Sequence, residues 1–478
     1  MQSSIRRFRH QWDILRIPLV SDFLLWKHSR TAFQIVLFAL AAIMLLDGLL
    51  GSQLAARNSA TVGAWVHYRG LIVVALLLAG NLFCAGCPFI LPRKLARWIG
   101  RPTRRWPKAL RNKWLAIGML LGILFVYEWL DLWASPWLTA WVIVAYFGAA
   151  FVLEMLFTRD SFCLYVCPLG TFNFLYSTAS PLQITSRNLQ TCRDCVGKDC
   201  INGRHDSAGN LVQQGCQLEL YVPTLQSNLN CTLCLDCAKA CPHDNVALAV
   251  RPPGDELFRR TWPRRLDLGL LAIVTAFAGL VNAFAMTPPF YTAAARLAQS
   301  LGTAQETLIL TLVFGTGIVV LPLGLGLGAA WINRQSGARQ TVRGLLLRYA
   351  YAFVPVGLAV WTAHYLFHLL IAPLTIIPAL QNFWVNVAGF PLLGMPEWRL
   401  GAAWIPPLDA IQTLQMVILA VGLGMSGAVV WRAACAATPI RARALQQALP
   451  WLLILSVLTI LAAWIFLQPM EMRGSLLG

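Results

Sequence analysis

Cys231-Thr232-Leu233-Cys234-Leu235-Asp236-Cys237-Ala238-Lys239-Ala240-Cys241-Pro242 is the stretch on which the reading of this chain turns. Three closely spaced cysteines, then a fourth ahead of a proline, form the ligand run that wraps one cubane iron–sulfur cluster and lends its last thiolate to another. A second cluster needs four more thiolates nearby, and Cys192, Cys195, Cys200 and Cys216 supply them. In the interleaved arrangement Cys192, Cys195 and Cys200 take Cys241 as fourth ligand, while Cys231, Cys234 and Cys237 take Cys216. The first half departs from the pattern: the step from Cys195 to Cys200 is wide, Cys216 lies beyond a long insertion, and Gln217 stands where proline is expected. Structural zinc gains nothing from a Cys-Pro ending, and a reducing compartment disfavours disulfides. The expected chemistry is electron transfer.

Outward from this run the chain changes character. Hydrophobic residues make up 58% of its 478 residues and the mean hydropathy is +0.61, values that place it in a membrane. Apolar runs of about 20 residues, enough to span a bilayer, lie near 31–50, 64–83, 114–133, 137–157, 266–286, 307–330, 346–371, 411–431 and 449–468. The net charge of +18 sits in short blocks between these runs, so it reads as topology and not as a nucleic-acid surface. The blocks are Arg6, Arg7, Arg9 and Arg16; then Arg93 through Lys113; then Arg259, Arg260, Arg264 and Arg265; then Arg334 through Arg348; then Arg432, Arg441 and Arg443. The positive-inside rule puts all of them, and the N-terminus, in the cytoplasm and the C-terminus outside. Met1 to Arg30 is mixed and charged, so the first apolar run is expected to remain as a helix and not to be cleaved.

The fold class expected is therefore a polytopic α-helical membrane protein of about nine transmembrane helices, with an inserted small cytoplasmic α+β domain of bacterial-ferredoxin type. Its divisions are residues 1–179 with four helices, 180–256 with the eight clustered cysteines, and 257–478 with five helices. The insert is too short for a large core, so its clusters are expected to hold it together. Residues 202–214 read as a polar loop.

Both hairpins of the first part end alike, in Cys84-Ala-Gly-Cys87-Pro88 and Cys163-Leu-Tyr-Val-Cys167-Pro168, a short internal repeat. These four thiols are read either as ligands of a further cluster or other metal, or as reduced cysteines without metal. Cys435 stands alone and reads as an inert small residue. In the membrane, His364 and His368 lie one turn apart on one helix, and His67 falls toward the same outer end. Ionisable groups at such depth are functional candidates, and these histidines are read as bracketing a haem b, as binding a quinol headgroup and taking its proton, or as interfacial residues bonded to neighbours. Asp47, Glu128, Asp131 and Glu154 are weaker candidates for a proton path. Trp65, Trp114, Trp133, Trp137 and Trp331 read as interfacial anchors.

With Cys167-Pro-Leu-Gly-Thr and then Ser180-Pro-Leu-Gln-Ile leading into the cysteine-rich stretch, the chain resembles the polyferredoxin membrane proteins of the NapH and NosR type over roughly Phe83 to Pro253. The resemblance implies two [4Fe-4S] clusters on the cytoplasmic face of a bacterial inner membrane, held by the eight clustered cysteines. It also implies quinol oxidation or electron delivery to a periplasmic respiratory reductase. The first Cys-Pro pair has two intervening residues where the family has three, and five further helices follow the matched region. The function expected is a membrane electron-transfer subunit, with lipid, respiratory partner subunits or a periplasmic cytochrome, and a cytoplasmic donor or acceptor as partners. A biogenesis factor that reduces a metal or thiol for another respiratory complex, and a redox sensor, are the readings from other classes.

Overall fold

The computed structural model describes residues 12–259 and 262–470; Arg6, Arg7, Arg9 and Arg260 of the basic blocks lie outside them. Each apolar run becomes a helix because lipid leaves backbone amides no partners but their own carbonyls. We number these α1 (Ser29–Leu50), α2 (Ser59–Leu78), α3 (Trp114–Trp129), α4 (Pro136–Leu156), α5 (Leu266–Phe284), α6 (Glu306–Gln335), α7 (Val342–Ile371), α8 (Leu408–Cys435) and α9 (Arg441–Phe466). Among the described residues, all but α3 are long and apolar enough to cross a membrane.

Several of the expected spans move; 307–330 and 346–371 lengthen to Glu306–Gln335 and Val342–Ile371, and four others change for a plain local reason. The run at 64–83 is displaced toward the N-terminus: Asn58 caps Ala60 N to start α2, and Gly80, with φ +73, ends it. The run at 114–133 shortens to 16 residues, because Asp131, at φ 45, turns the chain out of the helix. The last two helices are longer than expected, since Arg432 and Arg441 to Arg443 continue the helical backbone into polar surroundings. Helices α5 and α7 are the buried centre of the bundle; Gly357 of α7 brings its Cα to where a Cβ would stand 3.0 Å from Ala276.

The insert carries two small sheets, built from β1 (Leu182–Ser186), β2 (Arg204–His205), β3 (Leu211–Gln213) and β4 (Val246–Val250). β1 pairs antiparallel with β4, Leu182 opposite Val250 and Ser186 opposite Val246, so the segment's two ends are zipped together. The expected loop at 202–214 is instead the β2–β3 hairpin. Asp206 Oδ1 accepts from Ala208 N and Asn210 N, and Gly209 adopts φ +82 to close the turn. The N-terminal stretch joins this sheet: Val250 N donates to Trp12 O at 2.8 Å, and Asp13 caps Leu15 while pairing with Arg187.

The insert sits against one end of the bundle. Arg30 at the start of α1 pairs with Asp236, Asn81 Nδ2 donates to Cys231 O at 3.2 Å, and Arg97 Nη1 donates to Gln217 Oε1 at 3.2 Å. At the opposite end His67 Nε2 stands 3.1 Å from Pro373 O, and Asn382 Nδ2 donates to Arg57 O.

Candidate metal centres

The backbone of the 231–241 run explains why its sulfurs gather. Asn230, Leu233 and Leu235 all hold positive φ, at 68, 54 and 62°, a conformation that costs a non-glycine residue energy. It turns the chain just before Cys231, just before Cys234 and just after it, and Cys231, Cys234 and Cys237 line one pocket. The fourth cysteine on that wall is Cys216. A second pocket is lined by Cys192, Cys195, Cys200 and Cys241. Val222 lines both pockets.

The donor sets are sulfur-only, with backbone and side-chain amides aimed at the sulfurs. Cys192 Sγ accepts from Asn245 Nδ2 at 3.1 Å, Cys241 Sγ from Asn245 N at 3.4 Å, and Cys231 Sγ from Leu233 N at 3.5 Å. Among the described residues no three such groups close on a point where one ion could sit, as a zinc ion with sulfurs about 2.3 Å away would require. Cavities walled by four thiols fit a polynuclear iron–sulfur centre better than a single ion. Burial pushes the Cys200 and Cys234 thiols up to about 11, and that of Cys231 up as well, a penalty on the bare thiolate that iron, if held there, would offset. Gln217, in the place expected for proline, accepts from Arg97 Nη1 at 3.2 Å and ties the loop after Cys216 to the bundle.

Cys84, Cys87, Cys163 and Cys167 lie at the insert end, after α2 and α4. All four are free thiols, Cys87 and Cys167 buried. Burial raises the Cys87 thiol to about 11, while the Phe89 and Ile90 amides, Arg30 and Arg93 draw it down. Burial raises the Cys167 thiol to about 12 against the Gly170 and Leu169 amides. Cys435 is exposed at the end of α8, away from every set.

The histidines divide. His67 lies in a π-helical segment of α2, Val62–Tyr68, with Nδ1 3.2 Å from Val62 O and Nε2 3.1 Å from Pro373 O. Both of its nitrogens face carbonyls, so neither is directed at an open metal site. His364 and His368 are buried with ring centroids 5.0 Å apart, and His364 Nδ1 and His368 Nε2 have no hydrogen-bond partner. Two histidines on one face of one helix cannot bracket an iron from opposite sides. A bis-histidine haem using His67 therefore does not fit this arrangement.

What surrounds them was not foreseen. The Arg69 guanidinium is buried in an aromatic box, 4.6 Å from the ring centre of Trp65, 4.1 Å from that of Tyr127 and 5.1 Å from that of Tyr365. Next to it Asn282 Nδ2 donates to Glu128 Oε1 at 3.2 Å, and Met286 Sδ lies 3.3 Å from His364 Nε2. The signal was available, since an arginine inside the apolar run 64–83 is an intramembrane charge. Trp65 also departs from the reading as an anchor: its Nε1 donates to Thr139 Oγ1 at 2.9 Å inside the bundle, and Trp133 is buried. Trp114, Trp137 and Trp331 are exposed. Two of the acids hold structure: Asp47 Oδ2 accepts from Ser59 N to start α2, and Glu154 pairs with Arg97 at 2.7 Å.

The chain is 24% identical over 207 residues to the ferredoxin-type protein NapH of Escherichia coli (strain K12), a match that covers 39% of this chain and 69% of that protein. No family model matches the sequence, and no solved structure matches the fold.

Proposed function

We propose that this chain is an electron-transfer protein of a bacterial inner membrane, which holds two [4Fe-4S] clusters in a ferredoxin-like cytoplasmic insert and exchanges electrons with the quinone pool. The observation that carries the reading is the sorting of eight cysteines into two cavities of four, in the interleaved order Cys192, Cys195, Cys200, Cys241 and Cys216, Cys231, Cys234, Cys237. The likeness to a ferredoxin-type protein supports the class. Bound in these cavities, the clusters would supply one-electron carriers.

The chain's own residues do the rest. Val222 keeps the two sites adjacent. Asn245 holds Cys192 and Cys241 together through its side-chain and backbone donors, and the basic blocks around the insert end keep that end in the cytoplasm by the positive-inside rule. There the insert meets a soluble donor or acceptor. At the far end His364 and His368, beside Arg69 and Glu128, form a buried polar site suited to a quinone headgroup entering from lipid, with a neutral imidazole as proton acceptor. His67 is not part of that site.

Iron and sulfide analysis with reduced-minus-oxidised spectra tests the assignment. Cys237→Ala and Cys195→Ala should each remove about four iron per chain and a different share of the spectral change. An unchanged iron content in either variant overturns the ligand sets. A reduced-minus-oxidised haem band would restore the alternative carrier across the membrane.

A further inference from the structure

We propose that Cys84, Cys87, Cys163 and Cys167 hold a third iron–sulfur cluster, seated between the insert and the helix bundle. The metal site stands on its own geometry; its role as a relay rests on the electron-transfer reading above.

The two Cys-Pro motifs are alike in structure as well as sequence. In each, proline opens a helical turn, Pro88–Ile90 in one and Pro168–Tyr176 in the other, and the cysteine before it becomes the cap. A cap sulfur can receive the amides that the turn leaves free: Gly170 N donates to Cys167 Sγ at 3.2 Å, while Cys87 makes no such cap bond and the Phe89 and Ile90 amides only draw its thiol's pKa down. Amides aimed at ligand sulfurs are one of the means by which a protein tunes a cluster.

The two motifs also meet. Asn173, on the helix that Cys167 caps, donates Nδ2 to Cys84 Sγ at 3.4 Å, across from one hairpin to the other. The backbone of Cys163 and the sulfur of Cys167 both border Gly170, where an added methyl would stand 3.3 Å from Cys163 O and 3.4 Å from Cys167 Sγ. Asn81 Oδ1 and Asn173 Oδ1, on fully buried side chains at the same place, have no hydrogen-bond partner. Two buried and two half-buried thiols from two hairpins, without a disulfide and with amide N–H groups aimed at Cys167 and Cys84, fit a cluster better than a structural core.

Charge and position agree. Four thiolates on a cubane leave a net negative charge, and Arg30 and Arg93 are the cations that bear on Cys87. Arg30 donates Nε to Ala85 O between the first two cysteines while pairing with Asp236, the neighbour of Cys237. Asn81 in turn donates to Cys231 O. The quartet is thus tied to the wall of the Cys216, Cys231, Cys234, Cys237 pocket through Arg30 and Asn81, and Val222 lines both that pocket and the other.

Metal analysis of the full chain decides the matter. The wild type should carry about twelve iron and about twelve sulfide per chain, and the double variant Cys84→Ser, Cys167→Ser about eight, with the signals lost in Cys237→Ala and Cys195→Ala retained. About eight iron in the wild type overturns the third site and leaves the two-cluster reading intact, even where the double variant does not fold. About one zinc per chain, absent from the double variant, overturns the cluster in favour of a four-thiolate ion. About four iron, lost in the double variant and untouched in Cys237→Ala, supports the third site while ending the two-cluster reading.

Discussion

Glu256 shows how much of this architecture depends on single residues where the insert rejoins the bundle. It is 1% exposed, yet its two oxygens accept from Ser227 Oγ, Asn228 N, Arg251 Nη1 and Trp262 Nε1. Arg251, its side chain equally buried, also donates to Ser180 O, Gln183 Oε1 and Thr178 O. A buried, well-bonded pair is worth little against a hydrophobic replacement, but removing one member leaves an unpaired charge and costs about 3–5 kcal/mol. Arg251→Met should therefore lower the Tm in detergent and expose the Gln226 to Arg259 segment to proteolysis, while Arg259→Met, whose partner Asp255 lies one turn away on a half-exposed surface, should change neither measurably. Lys113 gives a second residue-scale test. Burial, with Arg265 adding to it and Asp267 opposing, pulls its ammonium down from the usual 10.5 to about 7. Between those values the unfolded chain holds a proton that the folded one has released, so stability rises with pH across that window and the penalty of the buried charge is fully present below it. The wild-type Tm should climb from about pH 7 to about pH 10 more steeply than that of Lys113→Met; parallel curves would show that Lys113 is not buried as described.

At the scale of elements, the helices that carry the far-end polar site are held together by small residues, as lipid offers no hydrophobic drive to press them closer. Gly70 of α2 faces α7 so tightly that a Cβ would stand 2.5 Å from Leu369 Cβ. Gly70→Ala should force these helices apart at a cost of about 1–3 kcal/mol, whereas Gly118→Ala, whose methyl meets nothing within 4 Å on α3, should be neutral or gain up to about 1 kcal/mol from helix propensity. Thermal stability of the two variants in the same detergent compares them directly. Neither contact could be read from sequence, because both glycines sit in equally apolar runs and differ only in what another helix brings. The same limit separates what was legible elsewhere. Nine apolar runs follow from run length, a local quantity, and among the described residues eight of them become helices long and apolar enough to cross a membrane, several with shifted ends; the assignment of the eight cysteines as cluster ligands rests on spacing and belongs to the proposal. The aromatic box around Arg69 assembles residues from α2, α3 and α7, and the edge contact of Trp12 and Asp13 on β4 spans more than half the described chain; no local period announces either. The shortened α3 and the hairpin at 204–213 fall between: Asp131 and the Asp206 to Gly209 turn were visible, but their conformations were not.

At the scale of the whole molecule, the arrangement of the two faces depends on α3. Its 16 residues measure about 24 Å at 1.5 Å each, less than the roughly 30 Å of a bilayer's hydrocarbon core. Its contacts nevertheless reach both ends. Lys113, at its start, donates its backbone N to Asp267 and its ammonium to Leu164 O beside the insert. Tyr127, in its last turn, packs edge-on against Trp65 with ring centroids 4.8 Å apart, and Glu128 accepts from Asn282 near the far end of α5. The helix therefore runs from one end of the bundle to the other, and the turn after it, with Leu132 and Trp133 buried against Tyr127 and Met286, fills the depth that the helix leaves. Counted as a crossing, α3 makes four crossings between the stretch before α1 and the insert and puts the two on one face; left out, it puts them on opposite faces. The contact of Trp12 with Val250 requires one face. A fluorescent protein fused ahead of Trp12 and one placed in the turn between β2 and β3 should therefore both be bright, and alkaline phosphatase in the same turn inactive, whereas phosphatase fused after Phe466, five helices beyond the insert, should be active. Brightness at only one of the first two positions would mean that α3 does not cross. The far-end polar site of Arg69, His364 and His368, and the path proposed to it from the insert's cysteines, would fail with it.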